Sequence, residues 1–72
     1  MTNTELLNEK IRISGLKKSY LAEKLGLTRS GFWNYVNNKS QFKADHIKIL
    51  CDELNITSLK EKESIFFAKI GA

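Results

Sequence analysis

Residues 16–39 read LKKSYLAEKLGLTRSGFWNYVNNK, and the spacing of the apolar positions in this stretch decides how the middle of the chain folds. Leu21, Ala22 and Leu25 fall at i, i+1 and i+4, the stripe of a short amphipathic helix predicted over about 18–25. Gly26 comes next, where a left-handed residue ends a helix at no side-chain cost. After Leu27, Thr28 is an N-cap type, and Phe32, Tyr35 and Val36 at i, i+3 and i+4 predict a second short helix over about 29–37. The steric demands agree with one another. Ala22 is small enough for the second helix to cross close above it, while Leu27, Phe32 and Tyr35 wedge the pair and fix its crossing angle.

Working outward, a first helix is expected over about 4–14, with Thr4 as N-cap and Gly15 as a left-handed stop. Leu7 and Ile11 turn inward, Ile13 is a further candidate for the core, and Leu16 points back into it. Beyond a polar loop over 37–41, Ile47, Leu50, Cys51 and Leu54 repeat at i, i+3, i+4 and i+7 and predict a helix over about 44–54. Asn55 suits a left-handed stop, Ile56 tucks in, and Ser58 with Glu61 three residues on forms a capping box that opens a fifth helix near Leu59. The end of that helix stays open. Leu59, Glu63, Phe66, Phe67 and Ile70 share a helical face, yet residues 65–68 also read as a β-prone run, so the tail over 64–72 has two readings. The expectation is an all-α fold of four to five helices.

With 72 residues and no proline, the chain is read as one domain over 1–72, because so short a chain buries only about 60% of its unfolded surface. A deep pocket of roughly 300 Å³ or more enclosed by well-packed walls is not expected at this size, so neither a small-molecule substrate nor an enzyme is expected. The lone cysteine, Cys51, excludes an internal disulfide and points to a reducing compartment, the cytoplasm. The first ten residues lack the basic-then-apolar pattern of a signal peptide, and no run approaches the roughly 18 apolar residues of a membrane span. Charge is unevenly placed. Residues 10–43 hold eight cationic side chains and one acid, Glu23, for a net +7, whereas the remainder nets −3. A basic middle between acidic ends suits a polyanion, since phosphates neutralised by lysine and arginine release counterions; an ordinary solvated basic surface has the same composition.

Residues 18–37 thus have the internal logic of a helix-turn-helix, and with that pattern in view residues 16–39 resemble the DNA-binding core of the phage lambda-type repressor and Cro-like (Xre) family. Together with the flanking helices the likeness covers about residues 4–59. It is nearest in look to small stand-alone Cro-like regulators of temperate phages of Gram-positive bacteria, modulators of repression among them. This chain departs from the family in having Tyr35 where a medium aliphatic wedge is usual and Trp33 where small or polar residues face the groove. The resemblance implies a lambda-repressor-like fold, with the third helix as recognition helix and Arg29, Ser30, Trp33 and Asn34 facing double-stranded operator DNA.

Chemistry suits those positions. Arg29 can pair bidentately with guanine O6 and N7, Asn34 similarly with adenine, and Ser30 with a base or a phosphate. Trp33 has three readings: a contact with a thymine methyl or sugar, a hot spot for a protein partner, or peripheral core folded over the fourth helix. Phosphate contacts are expected from Lys17, Lys18 and Thr28 before the recognition helix and from Asn37, Asn38, Lys39, Ser40 and Lys43 after it, bracketing the helix on both sides. Tyr20, Trp33, Ile49, Phe66 and Phe67 are candidates for a protein interface. Since Cro-like proteins commonly dimerise, the tail is the first candidate for a homodimer contact, with simple packing of Phe66 or Phe67 onto the first and fourth helices as an equal alternative that the sequence leaves open. No metal or other cofactor is expected: His46 and Cys51 stand five apart on different faces of one helix, and the adjacent Asp52 and Glu53 diverge. His46 is read as an exposed first-turn residue. Two functions compete, an operator-binding regulator in a phage lysis–lysogeny switch and an anti-repressor that docks on an opposing phage repressor and covers its DNA surface.

Overall fold

The computed structural model describes residues 1–68, and in it the chain forms five helices with no strand among the described residues. α1 (Thr4–Ser14) is capped one residue earlier than expected: the Asn3 side chain accepts the Leu6 N–H at 3.1 Å, which frees the Thr4 hydroxyl for a partner elsewhere. Gly15 ends the helix at φ 74°, as its position predicts. Ile13 is 66% exposed rather than inward, because it lies two residues, more than half a turn, beyond the buried Ile11. Leu16 is half-buried against the core.

α2 (Lys18–Lys24) is followed by Leu25 as C-cap, then by Gly26 at φ 71°, whose N–H donates to the Glu23 carbonyl at 3.0 Å. Leu27 N–H reaches back to the Ala22 carbonyl at 2.9 Å and closes the turn. Thr28 then caps α3 (Arg29–Val36), its hydroxyl accepting the Gly31 N–H at 3.0 Å. The glycine turn has a testable cost. A Cβ on Gly26 would meet nothing within 4 Å, so Gly26→Ala should destabilise through the left-handed backbone alone, by about 1–2 kcal/mol, read as a lower urea midpoint with unchanged slope.

α4 (Ala44–Glu53) and α5 (Leu59–Phe66) complete the fold, with α2 packed on α3 and α4, and α1 packed on α5. Lys43 caps α4; its N–H donates to His46 Nδ1 at 3.3 Å, so His46 is half-buried and turned back on its own helix rather than exposed. Asn55 takes the left-handed stop at φ 57°, and the Ser58 hydroxyl accepts the Glu61 N–H to open α5. The inward stripe of α5 runs through Ile65 and Phe66, both fully buried, which leaves Leu59 71% and Phe67 56% exposed. Phe66 is therefore core and not an interface residue. Residues 65 and 66 are helical, and Phe67 is the C-cap. The expectation for Ile70 falls outside the described residues.

The core gathers Leu7, Leu21, Phe32, Val36, Leu50, Ile65 and Phe66, with Cys51 and Ile56 beside them. Burial pushes the Cys51 thiol above its ordinary pKa, which makes it an inert apolar filler. Its hub came from a place with no helical periodicity. Phe42, in the loop before α4, is 4% exposed and stacks at 5.3 Å from Tyr35 and edge-on at 5.8 Å and 6.4 Å to Phe66 and Phe32. His46 closes this aromatic cluster edge-on, 5.2 Å from Tyr35. α3 thus rests on the Phe42 ring of the loop that follows it and on His46 of α4 as well as on α2.

Candidate nucleic-acid interface

α3 buries Phe32 and Val36 and holds Tyr35 half-buried, so helical geometry turns the residues between them outward. Arg29, Ser30 and Trp33 are exposed and Asn34 is half-exposed. These four surround one groove of about 500 Å³, whose wall is completed by Lys18 of α2 and the edge of Phe32. Among the described residues no hydrogen bond engages the side chains of Arg29, Ser30 or Asn34. Donors and acceptors of the types that read base edges therefore stand free along one face.

Trp33 is 51% exposed, which excludes its folding over α4 as peripheral core. Its ring is instead covered by Lys18, whose ammonium lies 5.1 Å from the ring centroid. A cation over an indole face is held by the ring quadrupole, at about 0.5–1 kcal/mol for an exposed pair. Lys18 is thus part of the groove and not only a rim cation. No periodicity in the sequence singles out this contact, which the packing of α2 on α3 brings about.

The expected phosphate-binding residues divide by what else they do. Lys17, Lys39, Ser40 and Lys43 are exposed at the ends of helices or in the loop after α3. The Lys39 and Ser40 backbone N–H groups are taken by the Asn34 carbonyl at 2.8 and 3.4 Å, which curls the loop back on α3. Thr28 is spent on capping, and Asn37 donates its amide to the Trp33 carbonyl at 2.9 Å. Asn38 departs furthest from expectation. It sits at φ 63°, and its amide is engaged on both sides by the backbone of Thr2, so its side chain is not available to a phosphate.

Ion pairing sharpens the electrostatics. Of the cations in residues 10–43, Lys10 pairs with Glu61 at 2.8 Å and Arg12 pairs with Glu9, whose carboxyl is held below its usual range mainly by that hydrogen bond. Among the described residues the other six, Lys17, Lys18, Lys24, Arg29, Lys39 and Lys43, join no ion pair. The paired cations lie on α1, and the unpaired ones lie on α2, α3 and their flanking loops. Within residues 10–43 the uncompensated positive charge thus lies on the segments around the groove, while Lys48 on α4 and Lys60 and Lys62 on α5 also stand outside these ion pairs.

Of the candidate protein contacts, Tyr20 is 38% exposed with its hydroxyl donating to Glu53 at 3.2 Å, and Lys24 lies 5.6 Å over its ring. Ile49 is half-buried against the core. Phe67 remains exposed. Among the described residues no three of His, Cys, Asp and Glu gather as a metal site, and no helix is long and apolar enough to cross a membrane.

These features define a small all-α fold with a central helix-turn-helix and an open, basic-rimmed groove along its second helix. No protein-family model, curated protein or solved structure matches the chain.

Proposed function

We propose that the chain is a DNA-binding transcriptional regulator of the Cro and repressor type that reads operator DNA with α3, acting in the cytoplasm of a bacterial host at a phage lysis–lysogeny switch. One observation carries the reading: Arg29, Ser30, Trp33 and Asn34 converge on a single groove with no internal partner claiming the polar three, amid cations left out of ion pairs. Base-edge chemistry sits in the centre and phosphate chemistry on the rim, the division that positions and reads a duplex. In this reading Lys18 leaves the Trp33 ring for a phosphate when DNA arrives.

Duplexes selected by the protein from a random-sequence pool supply the probe. Binding measured at two salt concentrations should weaken in Lys18→Ala, with a salt slope smaller by about 1, because one fewer counterion is released. An unchanged slope and affinity would remove Lys18 from the phosphate set.

A second reading is supported by Trp33 itself, an indole 51% exposed at the middle of the same groove. Tryptophan is enriched at protein hot spots, and a groove of this kind suits an anti-repressor that covers the DNA surface of an opposing phage repressor. A repressor gene transcribed divergently from this one would name the partner to be tried. A stable complex with that repressor, together with no duplex bound at low salt, would place the anti-repressor first.

A further inference from the structure

The last four carbonyls of a helix have no partner inside it, and α3 satisfies all of its own. Trp33 O accepts from Asn37, Asn34 O from Lys39 and Ser40, and Tyr35 O from Asn38 N–H at 3.2 Å. Val36 O is the exception to local supply. It accepts the Thr4 hydroxyl at 2.7 Å, from the first turn of α1.

Thr2 stands beside it. The residue is 2% exposed, its N–H donates to Asn38 Oδ1 at 2.8 Å, and its carbonyl accepts from Asn38 Nδ2 at 2.8 Å. One side-chain amide therefore meets both polar groups of a buried backbone residue, as a neighbouring strand would, and without it both would be left unpaired at a cost. Asn38 holds this geometry from the left-handed region, which asparagine enters more readily than most residues. The other side of the segment is also tied, Asn3 N–H to Ile65 O at 2.6 Å and Ala68 N–H to Met1 O at 2.9 Å. Residues 1–4 run as a strap between the end of α3 and the end of α5.

We infer that this strap sets the presentation of the groove, with Asn38 as its positioning residue: the clip on Thr2 and the Thr4 bond hold the C-terminal turn of α3, which carries Trp33 and Asn34, in the orientation that meets a partner. The inference about affinity rests on the DNA reading above, whereas the ordering of the turn does not. Asn38 acts through the helix and touches no phosphate.

Two variants test it. Asn38→Gly keeps the backbone angle and removes the clip, and Thr4→Val removes only the hydroxyl from a side chain of nearly the same shape. Native-state hydrogen exchange should speed up about tenfold or more at the amides of residues 37–40 in both, while α2 and α4 core amides keep their wild-type rates. The double variant should add little to either single one, since both release the same turn. On the selected duplex each should bind about tenfold more weakly with the salt slope unchanged, because no phosphate contact is lost. Unchanged exchange at 37–40, or an equal rise in every helix, overturns the strap. Weaker duplex binding in Asn38→Gly alone overturns the positioning role and returns Asn38 to direct contact. If the wild-type protein binds no duplex, the DNA reading falls while the exchange data still decide the strap.

Discussion

Phe42→Ala should cost the fold about 3–5 kcal/mol, the range for deleting a buried aromatic from a core that cannot fully collapse. For a 72-residue chain, whose total stability is on the order of 4–11 kcal/mol at 0.05–0.15 kcal/mol per residue, that is about a quarter of the margin or more. The ring is 4% exposed and contacts Phe32 and Tyr35 on α3, Phe66 on α5 and His46 on α4, so its loss opens a void shared by three helices. Thermal and urea unfolding should show it as a midpoint far below wild type. Phe42→Leu, which keeps much of the volume, should lose distinctly less. A loss below about 1 kcal/mol for alanine would mean that the ring is a surface flap and that α3 rests on α2 alone.

The second large effect concerns the groove. Arg29→Ala should weaken binding to the selected duplex by about 1–3 kcal/mol, roughly five- to 150-fold, and relax the preference at a guanine position. Arg29 lies in the first turn of α3, where a cation is disfavoured by the helix dipole, and among the described residues it has no ion-pair partner to offset this. Its removal should accordingly leave the folded state as stable or slightly more so, which separates lost recognition from lost structure. Trp33→Ala serves as the companion variant. On a protein partner it should cost 2 kcal/mol or more, as buried tryptophan anchors do, and comparison with its effect on DNA ranks the two readings. Equal binding of wild type and Arg29→Ala to every duplex tried would contradict base reading by α3.

Much of this architecture is legible in the sequence wherever a physical constraint is local. Gly26 must be left-handed to turn between two helices, Thr28 must cap, and Leu21, Ala22, Phe32 and Val36 must share faces, so the helix-turn-helix appears with its bounds within a residue. Most of the outward set on α3 follows from the same arithmetic, since 30, 33 and 34 lie off the stripe of 32 and 36; Arg29 shares the side of that stripe, and its exposure at the first position of the helix is not set by periodicity. What periodicity does not carry is contact between segments far apart in the chain. Phe42 lies in a polar loop with no repeat to declare it inward, and Asn38 looks like a solvent-facing loop residue until Thr2 is found 36 positions away. Phe66 and Phe67 are neighbours of the same type at a helix end, and only the placement of α1 and of the Phe42 ring decides that the first is buried and the second exposed. Ile13 and Leu59 are the converse, apolar residues near a core stripe that stand outside it, Ile13 by helical phase relative to Ile11 and Leu59 at the first position of α5.

The bonds that tie Met1 and Asn3 to residues 65–68 join segments far apart along the chain. Closing so long a span costs backbone entropy that a local turn such as the one at Gly26 does not, so this seam is expected to form after the pairing of α2 with α3. The groove then reaches its final order late in folding, and loosening the seam should disturb it before the helices themselves melt.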